Sequence, residues 1–229
     1  MELMEAIERR HSVRQYTEQP IEGETLERLQ QAIALCNEAG GLHLQLILEE
    51  PEAFSGLKAK YGKFTGVRNY IALIGPKGRA LEEKLGYYGE KLVLLAQQLG
   101  LNTCWVGGTY SKVPEAYDVR PGEKICGVIA IGYGQTQGYP RKSKVMFDVC
   151  GVSEMTRDVP VWYKRGVLAA LMAPTAINQQ KFSFERDGER VTVKAGRGPF
   201  AKMDLGIVRC HFEIGAGRNN FVWTEDPTK

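Results

Sequence analysis

Two stretches of this 229-residue chain are apolar on most helical faces, EKLVLLAQQLG (90–100) and DLGIVRCHFEIG (204–215). A helix with no polar face cannot lie on a surface, so both belong in the interior with other elements packed around them. The first is the second half of a long helix expected over 79–99 and stopped at Gly100. A fold built on two central helices is therefore the first constraint.

The elements around them can be read in turn. Leu3 and Ile7, then Leu26, Leu29 and Ile33, recur at helical spacing and predict helices over 1–10 and 23–36, with helix-start chemistry at Glu22–Thr25. LHLQLIL (42–48) alternates like a strand. YIALIG (70–75) and KICGVIAIGYG (124–134) are continuous apolar runs and predict buried strands, while NTCWVGG (102–108) is a short strand or turn. Residues 135–160 are polar and turn-rich, the best candidate linker. A helix over 163–172 follows, then two strands around the hairpin signal Asp187–Gly188. The order helix, strand, strand, buried helix thus occurs twice, the second time abbreviated, which suggests an internal duplication.

Composition narrows the function classes. Thirty basic against 27 acidic side chains give a net charge of +3, no footprint for nucleic acid. MELMEAIERR is too charged for a signal-peptide core, and no apolar run approaches the ~20 residues of a membrane span, so a cytoplasmic protein is expected. Five cysteines without a CxxC pair read as reduced core residues, and His11, His43 and His211 show no metal-ligand spacing. There is no GxGxxG after a strand, no GxxxxGK[ST] and no GxSxG.

Four segments carry potential chemistry. ERRHSVRQY (8–16) sets Arg9, Arg10, Ser12 and Arg14 directly after a helix, a cradle for phosphate or another planar anion; alone, it also reads as a solvated basic turn. YPRKSK (139–144) is a second cation cluster, after a buried strand. NTCWVGG ends in Gly107 and Gly108, which let a ligand approach the backbone or simply make a tight turn. MAPTAINQQKF (172–182) offers Thr175, Asn178 and Gln180 to a polar ligand, or caps a helix end.

Together these segments resemble the FMN-dependent nitroreductase family. RHSVR (10–14) is similar to its R-[RH]-S-x-[RK] signature, LGLNTCWVGG (99–108) to its L-G-L-x5-G-G segment, IAIGYGQTQ with RKSK (129–144) to its G-Y and basic tail, and APTAINQQKF (173–182) to its S-P-S-x-x-N-x-Q-P-W motif. In ordinary members the last motif follows the first within about one helix; here CNEAGGLHLQL (36–46) lacks its Pro and Asn, and the motif comes after residue 170. The chain therefore resembles members in which two copies are fused. The implied fold is α+β, nitroreductase-like, with a first half over 1–155 and a truncated second half over 156–229 that mimics the partner of the family homodimer. A monomer is the implied state.

The resemblance also implies roles. Arg10 and Ser12 would hold the FMN phosphate, helped by Arg141 and Lys142 or Lys144. Arg14, with Lys63 as a second candidate, would face the N1/O2 edge of the flavin, and the Gly107 amide would donate to N5. His11, Trp105 and Gly108 would complete the first-half wall, and Pro174, Thr175, Ala176 and Asn178 would reach the cofactor from the second half. The implied activity is ping-pong hydride transfer from NADH or NADPH to a small-molecule acceptor such as a nitroaromatic or quinone. A flavin-binding protein with little turnover, or a reductive dehalogenase-like enzyme, is the alternative.

Overall fold

The structure is a computed structural model and describes residues 1–224. Helix α1 (Leu3–Arg9) and helix α2 (Gly23–Gly40) precede strand β1 (Gln45–Ile47), a short helix α3 (Leu57–Tyr61) and strand β2 (Tyr70–Pro76). Helix α4 (Leu81–Gln98), β3 (Asn102–Val106) and β4 (Glu123–Gly132) complete a four-stranded antiparallel sheet in the order β1-β2-β4-β3.

The continuous apolar runs of β2 and β4 follow from burial on both faces. Ile71, Leu73, Ile129 and Ile131 join the core under α4, while Tyr70, Ala72, Ile74, Val128 and Ala130 join a second core with Phe54, Phe64 and Tyr110. The period-two alternation is present, but both phases are apolar, so the sequence shows a run.

Helices α5 (Met146–Cys150) and α6 (Val161–Leu171), strands β5 (Phe182–Asp187) and β6 (Arg190–Ala195), helix α7 (Ala201–Ala216) and strand β7 (Val222–Trp223) form the remainder. The β5–β6 ladder runs through Asp187↔Arg190, so the hairpin loop is Gly188–Glu189, with Gly188 at φ 59°. β7 pairs parallel to β6. The stretch expected to be a linker contains α5, whose Met146 and Val149 are buried in the core of α6, α7, β5 and β6. It is a packed connection.

Helices α4 and α7 are central, as their apolar composition requires. α4 packs on β2 and β3, α7 on β6, and the two helices pack on each other. Their contact is glycine on glycine. A Cβ on Gly86 would lie 2.0 Å from Met203 O, and one on Gly206 would lie 1.9 Å from Glu83 O. Glycine costs a helix interior about 1 kcal/mol of propensity; here it lets two backbones approach within the reach of a side chain. Trp105, at the end of β3, packs against both main cores. No helix among the described residues is long and apolar enough to cross a membrane.

Candidate active site

A cavity of about 790 Å³ opens beside the α4–α7 pair, between the end of β3 and the start of α7. Six separate stretches, together with Leu73, line it. Arg10, the C-cap residue of α1, begins the first. From there the chain runs extended: Ser12 bridges Thr103 of β3, the Val13 N–H donates to Thr103 O at 3.0 Å, and the Thr65 N–H donates to Arg14 O at 2.9 Å. This threading carries Arg10, His11, Ser12 and Arg14 to Cys104–Gly108 and Lys63, although 90 residues separate the first and last of these segments. Pro174, Thr175, Ala176 and Asn178 supply the far wall, with Arg141 beside them.

The electrostatics of the floor are those of a prepared anion site. Arg10 is only 5% exposed. Its Nε stands 3.9 Å from Glu90 Oε1, too far for a hydrogen bond, and has no hydrogen-bond partner among the described residues. Burial lowers the Arg10 pKa, opposed by the Glu90 carboxylate. Arg141 is pushed down to about 10 by burial and then by the charge of Arg10. His11 is lowered by burial, then by Arg10 and Arg141. Two guanidiniums therefore repel each other in a partly dry pocket and disfavour a charge on the His11 imidazole, a strain that an anion relieves.

The second wall is tied to the first. Arg141 donates to Ala173 O, and Asn178 Nδ2 donates to Lys142 O at 2.8 Å. Asp204 of α7 accepts the Ala176 N–H at 2.9 Å and Gln179 Nε2 at 2.6 Å. Asn178 Oδ1 is buried without a partner among the described residues. Thr175 Oγ1 accepts the Gln180 N–H at 3.0 Å.

Of the fifteen residues named from the sequence, Lys142 and Lys144 do not line the cavity. Lys144 donates its ammonium to Gln180 O at 2.8 Å, and Lys142 contributes its backbone carbonyl to Asn178. Both lie on the exposed side of their loop, so the basic cluster divides: Arg141 points inward and the lysines fasten the loop. The other thirteen meet in one cavity.

The family model described as "Putative TM nitroreductase" matches residues 2–216. The chain belongs to that family. This nitroreductase has the fold of a "putative nitroreductase" from Thermotoga maritima MSB8, with TM-score 0.66, 21% identity, and coverage of 96% of this chain and 85% of that one. A nitroreductase family protein from Streptococcus pneumoniae TIGR4 shares it at TM-score 0.53 and 13% identity, covering 65% of this chain and 98% of that one. A "putative nitroreductase" from Desulfovibrio desulfuricans, in complex with FMN, does so at TM-score 0.50 and 18% identity, covering 70% and 99%. No curated protein matches the chain. The nitroreductase is by this membership an oxidoreductase.

Three residues at or behind the cavity escaped the sequence reading: Asp204 lines it, while Glu90 backs Arg10 and Trp105 and His211 backs Glu90. Glu90, Asp204 and His211 all sit on the two apolar helices, and all are buried. Glu90 accepts Trp105 Nε1 at 2.9 Å and pairs with His211 Nε2 at 2.8 Å. An ionisable residue inside an apolar helical run was the available signal, since such a group is buried only with partners.

Proposed function

We propose that the cavity binds FMN and that the nitroreductase passes hydride from NADH or NADPH to a small-molecule acceptor such as a nitroaromatic or quinone. The observation that carries this is the Arg10–Arg141 pair: a buried and a half-buried guanidinium that repel each other, the first with an orphaned Nε, beside a cavity of about 790 Å³. That volume lies within the ~300–1,000 Å³ of small-molecule sites. The donor set suits a flavin mononucleotide. Arg10, Arg141 and Ser12 offer charge-assisted bonds to one terminal phosphate. Gly107 and Gly108 bring backbone to the cavity wall without side chains of their own, and Asn178 Oδ1 can accept an N–H. The FMN found in the Desulfovibrio protein of the same fold adds support.

FMN, when bound, supplies the hydride chemistry through N5. The chain's own residues bind and polarise. Arg10 and Arg141 neutralise the phosphate and thereby each other. Arg14 and Lys63, both solvent-exposed on the cavity wall, place positive charge where a ring that gains electrons is stabilised. Donor and acceptor would use this one cavity in turn, a ping-pong cycle.

A fused-halves reading implies one site per chain. Apart from α3, which is inserted between β1 and β2, α2-β1-β2-α4 and α6-β5-β6-α7 follow the same order, each with an antiparallel strand pair, and their last helices cross at Gly86 and Gly206. We read 1–155 and 156–229 as fused halves and the chain as a monomer. Heat release and chromatography of the bound cofactor, with FMN titration of apoprotein, test the proposal. One FMN per chain is expected. FAD, two tight sites, or no flavin after reconstitution refutes it.

A further inference from the structure

Phe200, absent from the family motifs above, has a backbone it should avoid. It is the N-cap residue of α7 at φ 57°, ψ 15°, the left-handed region that is costly for any residue with a Cβ. Among the described residues six non-glycine residues have positive φ, and four of them, Lys63, Ile177, Asn178 and Phe200, line the cavity. Strain gathered at one site marks a constraint other than stability.

The surroundings of Phe200 hold it there. Gln179 Nε2 donates to Pro199 O at 2.8 Å and to Asp204 Oδ2 at 2.6 Å, and the Asp204 N–H donates to Phe200 O at 2.9 Å. This locks the loop before α7 to the loop that carries Asn178. The result is a ring laid across the cavity onto the turn after β3. A Cβ on Gly107 would lie 2.2 Å from Phe200 Cζ and 2.6 Å from Cε1 and Cε2. Despite that contact the residue stays 41% exposed. Tyr61, Tyr139 and Ile177, all more than 80% exposed, line the same cavity. Large apolar side chains left in solvent around one opening mark a place for an apolar ligand.

We propose that Phe200 is a specificity-determining residue of this nitroreductase, whose ring is the platform on which a flat aromatic acceptor stacks beside Gly107. The proposal rests on the flavin reading of the same cavity. The strained backbone aims the ring, Gln179 and Asp204 keep it aimed, and Tyr61, Tyr139 and Ile177 grip the acceptor's edges. A ring kept only for packing would instead be buried on an unstrained backbone.

The test uses FMN-loaded protein with the variants Phe200→Ala, Phe200→Trp and Phe200→Gly. The probe is 1,4-naphthoquinone, titrated by quenching of tryptophan fluorescence, with FMN affinity and thermal midpoint measured in parallel. Phe200→Ala is expected to weaken naphthoquinone binding about tenfold, the scale of one lost aromatic contact with its burial. Phe200→Trp restores it. Phe200→Gly loses it as well, yet melts no lower than the wild type, because glycine relieves the strain. Unchanged naphthoquinone affinity, or a fall in the Phe200→Gly midpoint, overturns the proposal and leaves Phe200 a packing residue. Failure of the wild type to bind FMN removes the flavin reading instead, and the naphthoquinone titration of the same variants still decides the role of Phe200.

Discussion

Glu90 on α4 and His211 on α7 meet at 2.8 Å with neither side chain exposed. His211 Nδ1 lies 3.0 Å from Ala169 O, which can only accept, so Nδ1 carries a proton. Nε2 is thereby left to face the Glu90 carboxyl, and the two side chains satisfy each other. Glu90 also accepts Trp105 Nε1 and faces Arg10. One buried carboxylate thus joins the two central helices to the anion arm of the cavity. Leu in place of either partner strands the other, and should cost about 3–5 kcal/mol. The double variant should cost clearly less than the sum. Urea denaturation of all three checks this, and additive losses would show that the pair is not coupled.

The glycine crossing makes a second test. Ala at 86 or 206 gains about 1 kcal/mol of helix propensity but overlaps backbone atoms of the opposing helix at about 2 Å. Net destabilisation by about 2 kcal/mol or more is expected, since overpacking against backbone has no side chain to yield. Gly78→Ala, where nothing lies within 4 Å, should stay within about 0.5 kcal/mol. Equal midpoints for all three would contradict the close approach.

Cations that line the cavity should separate from those that do not. Arg10→Ala and Arg141→Ala should each weaken FMN about 10–100-fold, the range of a charge-assisted bond lost from a buried site. Lys142→Ala, outside the cavity, should change it by less than about threefold. Fluorescence titration of apoprotein measures both. A Lys142 effect as large as that of Arg141 would restore the sequence-level grouping.

His11 reports the field of the two arginines. Burial, then Arg10 and Arg141, lower its pKa and so favour the neutral imidazole in the free protein. A phosphate between the guanidiniums offsets their repulsion and raises that pKa. Because the neutral form is favoured on folding, stability associated with His11 is present at high pH and falls as pH drops through the ordinary histidine range. NMR titration is tractable with three histidines in the chain. A His11 pKa unmoved or lowered by FMN would place the phosphate elsewhere.

Much of this was legible in local pattern. The two apolar runs placed α4 and α7 inside, because an all-apolar helix has no other stable position. The runs 70–75 and 124–134 became β2 and β4, and the motifs around Arg10, Gly107 and Asn178 fell on one cavity. α3 and α5 were missed, each five residues long and too short for a helical period to show.

Only the tertiary structure divided the cluster YPRKSK, turning Arg141 inward and leaving Lys144 on Gln180 O. Charge is written in the sequence, but the direction of a side chain is set by what the backbone passes. Gly86 and Gly206, 120 positions apart, become one contact only when α4 and α7 cross. Glu90 finds His211 across the same crossing, and Phe200 finds Gly107 across the cavity. The amphipathic pattern that makes an element is local, within a few residues, and a single sequence records it directly. These three pairings join residues more than 90 positions apart, and no periodicity links them. They exist because burial of α4 against α7 brings two distant stretches to one place.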